Sequence, residues 1–145
     1  MKTVADVLTG KGHEVITAEP GITLQTALHL MKKHNIGSLL LKDDTGEIAG
    51  IFSERDFARF CADKHAVSLD APVSEMMTSR VVCVNPQQKL EDCMGLMTSM
   101  RLRHLPVLEE GTLVGLVSIG DVVKALQSEK DHLIDQLEHY IAGSI

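Results

Sequence analysis

The sequence has 145 residues, 44% hydrophobic and 23% charged, with a formal net charge of −6, 3% aromatic residues and no tryptophan. That is the length of one ordinary domain with a usable core; the acidic balance argues against a broad basic face for DNA or RNA, and the few aromatics argue against base-stacking platforms. Cys61, Cys83 and Cys93 are odd in number and lack C-x-x-C spacing, which suggests neither a disulfide framework nor a zinc site. With no apolar leader in MKTVADVLTG and no run of about 18 apolar residues to span a membrane, a soluble cytoplasmic protein is expected.

The chain repeats itself. VITAEPGITLQTALHLMKKHNIGSLLL (Val15 to Leu41) lies over VVCVNPQQKLEDCMGLMTSMRLRHLPV (Val81 to Val107), with Pro20 over Pro86 at an offset of 66. After a one-residue deletion that a turn absorbs, TGEIAGIFSERD lies over EGTLVGLVSIGD at an offset of 65. Each copy opens with a short apolar strand, Val15 to Thr17 or Val81 to Val84, ended by its proline. A helix follows, with Leu24, Ala27, Leu28 and Met31 forming an apolar stripe that Leu90, Cys93, Met94 and Met97 reproduce. Next, IGSLLL or LRHLPV, a turn at Gly46 or Gly111, and EIAGIF or TLVGLV read as a β-hairpin. A second helix starts at Ser53 or Ser118. The unit is β-α-β-β-α, about sixty residues, too small to be comfortably stable alone, so packing against its copy with pseudo-twofold symmetry is expected.

Both closing helices begin with S-x-x-D: Ser53 with Asp56 and Ser118 with Asp121. One reading is a capping box, with Phe52 and Phe57, or Val117 and Val122, as a hydrophobic staple. The other is a ligand site. A helix N-terminus offers free N–H groups and partial positive charge to an anion, and an ionised Asp can accept from two neighbouring hydroxyls, as a ribose diol presents.

Ending in GIFSERD and GLVSIGD, with IGSLLL and RHLPV in matching places, the duplicated unit resembles a tandem pair of CBS domains, the cystathionine-β-synthase-type regulatory repeat, over about residues 1–127. The resemblance implies an α+β fold of two β-α-β-β-α repeats, at 1–66 and 67–127, forming one Bateman module, with a helical tail at 128–145. It also implies two clefts that take adenosine compounds such as AMP, ADP, ATP, NAD or S-adenosylmethionine. Asp56 and Asp121 match the family's ribose-binding aspartates, and Ser53 and Ser118 its hydroxyl ligands near sugar or phosphate. His13, and Thr78, Ser79 and Arg80, match the edge that meets adenine. Ile36, Gly37 and Ser38 match the wall of one cleft, and Leu102, Arg103 and His104 that of the other. Arg103, with Arg101 and His104, resembles the family's phosphate-contacting residues, suited by the guanidinium fork; solvation of an exposed strand start is the competing reading. Gly120 stands where the first copy has the bulkier Arg55, which favours the Asp121 cleft without excluding the other.

The tail ALQSEKDHLIDQLEHYIAGSI places Leu126, Leu133, Ile134, Leu137 and Ile141 on one helical face, ending near Gly143. It packs on its own chain, seals a homodimer or docks on a partner; the resemblance favours a disk-like homodimer. No G-x-S-x-G, P-loop, H-E-x-x-H or Rossmann glycine pattern occurs. His13, His29, His34, His65, His104, His132 and His139 lack metal-ligand spacing. The cysteines read as core residues; Met76, Met77 and Met100 are candidates to line a cleft. A non-enzymatic adenine-nucleotide sensor acting on an unidentified effector protein is therefore expected. The alternatives are a ligand-free scaffold that dimerises through its CBS faces and tail, and a metal-dependent or thiol enzyme.

Overall fold

The computed structural model describes residues 2–64 and 66–143; His65 and the last two residues of the tail lie outside them. The elements run α1 (Val4–Lys11), β1 (Thr17–Ala18), α2 (Leu24–His34), β2 (Ser38–Lys42), β3 (Ile48–Ser53), α3 (Glu54–Asp63), a 3-10 turn (Val73–Glu75), α4 (Leu90–Met100), β4 (His104–Glu109), β5 (Thr112–Ser118) and α5 (Ile119–Gly143). They form two compact units, one of residues 15–81, the other of residues 1–14 with 82–145.

In the 15–81 unit, β1 pairs parallel to β2, and β2 antiparallel to β3 with Ser38 opposite Ser53. The expected stripe of α2 meets this sheet: Leu24, Ala27 and Met31 are buried with Leu39, Leu41 and Phe52. Each fully buried leucine of this kind contributes about 1.5–3 kcal/mol. Asn35 ends α2 in the left-handed conformation, φ 51°, which asparagine tolerates. The linker completes the unit: Leu24 donates its N–H to the Ala71 carbonyl, Val73 and Met76 enter the core, and Thr78 pairs with Ile51 on the outer edge of β3.

The other unit has the same plan. The α4 stripe, Leu90, Cys93 and Met97, packs with Leu105, Val107 and Val117 of the β4–β5 hairpin. That hairpin turns on Glu110 and Gly111, φ 50° and 79°, the paired positive φ values of a two-residue primed turn. Here the completing segment is α1, which begins at Thr3 and buries Val4 and Leu8. Leu90 donates to the Lys2 carbonyl as Leu24 does to that of Ala71. Each repeat is thus finished by the segment that precedes the other one, and the compact units differ from a simple division of the chain near residue 66.

Two further differences from the sequence expectations concern the bounds of elements. The first strands shrink to Thr17–Ala18 at β1 and a single bridge, Val84 to Val107, so pairing is confined to the residues just before Pro20 and Pro86. The boundary at 127/128 falls inside α5, which is unbroken over 25 residues. From Lys130 to Gly143 every residue of α5 is exposed, so among the described residues the apolar stripe of the tail stays largely uncovered.

Candidate functional site

The two S-x-x-D starts are built alike. In α3, Asp56 Oδ2 accepts from the Ser53 N–H at 2.9 Å and the Ser53 hydroxyl at 3.0 Å, and the Asp56 N–H donates to Ser53 Oγ at 3.1 Å. In α5, Asp121 Oδ2 accepts from the Ser118 N–H at 2.8 Å, and the Asp121 N–H donates to Ser118 Oγ at 3.1 Å. Both are capping boxes, and capping occupies Oδ2 alone. Beside each helix start lies the strand start expected to wall a cleft: the Glu54 N–H donates to the Gly37 carbonyl, and the Ile119 N–H to that of Arg103.

A third element reaches each carboxylate from a distant part of the chain. Thr78 donates its hydroxyl to Asp56 Oδ1 at 3.3 Å. At α5 the contact is charged: Lys11, closing α1, places Nζ 2.7 Å from Asp121 Oδ2 and 2.8 Å from the Leu116 carbonyl. His13 places Nδ1 2.9 Å from the Val114 carbonyl; since a carbonyl only accepts, Nδ1 carries the proton. Lys11 and His13 together satisfy the outer edge of β5, where Thr78 serves β3 through its backbone. His13 therefore belongs with Asp121 and Thr78 with Asp56, a pairing that chain order does not reveal. Lys11 was absent from the sequence candidates. It lies 110 positions from Asp121, and no local motif marks it.

Burial pushes the Asp121 carboxyl up, but hydrogen bonds from Lys11 and Ser118 and the Lys11 charge outweigh it, leaving the group below its ordinary value. The side chain keeps 26% of its surface exposed, and Oδ1 accepts no bond from the described residues.

The remaining candidates separate by exposure. Ser38, expected on a cleft wall, is 3% exposed because β2 is buried along most of its length. Ile36 and Leu102 pack against the cores of their units, which leaves Gly37 and the exposed Arg103 as the outward residues of the two strand starts expected to wall a cleft. His104 begins β4 opposite Ser118, and Arg55 is half-buried in the first turn of α3. Ser79 and Arg80 are exposed, and among the described residues nothing draws them to Asp56. Arg101 caps α4 at φ 54°, a left-handed conformation in which an arginine is strained. Met76 and Met77 join their unit's core, while Met100 is exposed. Burial raises the Cys83 and Cys93 thiols, opposite to what a nucleophile needs. Among the described residues no group of three His, Cys, Asp or Glu could hold a metal ion, and no helix is long and apolar enough to cross a membrane.

Comparison with known proteins agrees with this construction. The family model of the CBS domain matches residues 4–63 and 73–128. The CBS domain-containing protein YhcV of Bacillus subtilis is 33% identical over 144 residues, 99% of this chain and 92% of its own. The crystal structure of the CBS-domain containing protein ATU1752 from Agrobacterium tumefaciens superposes with a TM-score of 0.82 at 40% identity, covering 86% of this chain and 98% of that one. The fold is also shared by the CBS domain protein PAE2072 from Pyrobaculum aerophilum, complexed with AMP, with a TM-score of 0.73 at 22% identity, covering 83% of this chain and 89% of that one.

Proposed function

The chain belongs to the CBS-domain family, and on that premise we propose that it is a non-enzymatic regulatory module whose S-x-x-D helix starts bind an adenosine compound, AMP or a relative such as ADP, ATP, NAD or S-adenosylmethionine. The Asp121 start is the favoured site. Binding acts by population shift: a ligand favours whichever packing of repeats or subunits it binds better, by no more than the difference in affinity. The output passes to an effector protein.

One observation carries this reading. The same Ser–Asp device occurs twice, and each carboxylate keeps capacity beyond its cap. A carboxylate accepts at about four lone-pair positions. Two bonds to Asp121 use only Oδ2, which leaves Oδ1 for a ribose diol while the α5 amides and the exposed Arg103 face an anion. The AMP complex of PAE2072 supports the choice of ligand class.

Thermal denaturation with each compound tests the proposal. A ligand at a hundredfold excess over its Kd stabilises by about 2.7 kcal/mol. Asp121→Asn should reduce the shift for the compound that works, leaving what the Asp56 start contributes; an unmoved melting point with all five compounds removes the reading.

A second reading, assembly through the tail, draws on one specific feature. Leu133, Ile134, Leu137, Tyr140 and Ile141 of α5 are 44–75% exposed. They form a stripe whose area, on the order of 500 Å², is as large as the biggest patch a typical monomer shows. The occupant proposed is the same helix of a second copy, giving a homodimer whose subunits the ligand can rearrange.

A further inference from the structure

The two helix starts differ in what holds the carboxylate. At Asp56 the remote group is the neutral Thr78 hydroxyl; at Asp121 it is the Lys11 ammonium, 2.7 Å away on a side chain 38% exposed. The strand walls differ in the same sense. The Glu54 carboxylate lies 3.9–4.0 Å from where a Cβ on Gly37 would be, whereas the second copy has Ile119 in place of Glu54 and the exposed Arg103 in place of Gly37. Positive charge therefore gathers at Asp121, and Glu54 adds a second carboxylate at Asp56, partly offset by neighbouring Arg55.

A ribose diol can give one hydroxyl to the open Oδ1 of Asp121, but its second hydroxyl turns to Oδ2, where it competes with the ammonium already there. Displaced, Lys11 keeps only the Leu116 carbonyl, a neutral acceptor, and a charged donor needs an anion to recover the loss. Its flexible four-carbon stem, extending from the end of α1, lets the ammonium move without moving the helix. A phosphate on the arriving ligand supplies the anion; an uncharged nucleoside does not.

We infer that Lys11 is a specificity-determining residue that makes the Asp121 site select phosphorylated adenosine over adenosine, by exchanging its pair with Asp121 for a pair with the ligand's phosphate. The inference rests on the adenosine-ligand reading and adds a residue and a charge requirement to it. Among the described residues the remote group on Asp56 is the neutral Thr78 hydroxyl, so the same discrimination is not expected there.

The test is calorimetric titration of AMP and of adenosine into the wild-type chain, Lys11→Met and Lys11→Arg. Wild type should prefer AMP by about tenfold or more, the worth of one charged hydrogen bond. Lys11→Met should weaken AMP binding while leaving adenosine as tight or tighter, so that the preference collapses; Lys11→Arg should retain it. An AMP-to-adenosine ratio that Lys11→Met leaves unchanged overturns the role of Lys11 and leaves the adenosine reading standing. Failure of the wild-type chain to bind AMP or adenosine overturns the role of Lys11, and the adenosine reading falls with it when ADP, ATP, NAD and S-adenosylmethionine also give no heat.

Discussion

Adding a single methyl group at Gly50 should destabilise the 15–81 unit and disturb its site together. A Cβ at this position of β3 would lie 2.6 Å from Met77 Sδ, 2.9 Å from Met77 Cγ and 2.9 Å from the Thr78 carbonyl oxygen. Met77 can rotate away in part. The carbonyl cannot move freely, because it accepts from the Ile51 N–H at 3.0 Å and its own residue donates back to the Ile51 carbonyl at 2.8 Å. Relief of the contact needs a retreat of roughly half an ångström, which stretches both bonds and draws the Thr78 hydroxyl from Asp56. Overpacking of this kind costs about 1–3 kcal/mol, or roughly 3–10 °C in Tm for a chain of this size. Gly95→Ala provides the control of opposite sign. It lies inside α4 with nothing within 4 Å of the added carbon, so the methyl group should stabilise by up to about 1 kcal/mol through helix propensity. Thermal unfolding followed by circular dichroism reads both. A Gly50→Ala chain melting at or above wild type, with Gly95→Ala shifted upward as expected, refutes the close approach of β3 to the Thr78 segment.

Other outcomes follow from the same geometry. Because the Asp121 carboxyl is lowered in the folded state, its contribution to stability is present above its unfolded value near 3.8 and is lost as the pH falls through the lower folded value; urea unfolding over a descending pH series from pH 6 should show Lys11→Met destabilised at pH 6, by about 0.5–1 kcal/mol for a partly exposed pair, with the gap to wild type narrowing once the pH falls below 3.8. Leu133→Asp with Leu137→Asp should leave the folding of the chain within about 0.5 kcal/mol of wild type, since both side chains are more than half exposed, yet shift sedimentation from dimer to monomer; a dimer that survives places the contact elsewhere. Arg101→Gly should relieve the left-handed strain at φ 54°, raising stability by up to about 1 kcal/mol, while weakening AMP binding if the arginine meets phosphate.

Much of this construction was legible because the chain states it twice. The stripe of Leu24, Ala27, Leu28 and Met31 is reproduced by Leu90, Cys93, Met94 and Met97, and both stripes meet the core, with Leu28 and Met94 partly buried and the rest buried. The hairpins announced themselves through Gly46 and Gly111, whose φ values of 84° and 79° the turns require, and the caps through Ser53 and Ser118. What escaped was non-local or short. The α1 helix carries the same signal as the others, with the Thr3 N–H donating to Asp6 Oδ2 at 2.8 Å, but its eight residues lie in a segment that lacks a second copy to compare. The pairing of residues 1–14 with 82–145, and hence of Lys11 with Asp121, arises from packing that periodicity does not encode. The burial of Ser38 escaped because a hydroxyl at a strand start reads the same on either face until the strand's neighbours are known.

Titration of AMP into the wild-type and Asp121→Asn chains by calorimetry addresses the central claim most directly. Saturable heat in the wild type, with affinity reduced at least tenfold when the carboxylate becomes an amide, is the expected result. Equal affinities in the two chains, or no heat with AMP, ADP, ATP, NAD or S-adenosylmethionine in either, contradicts a ribose held at the start of α5.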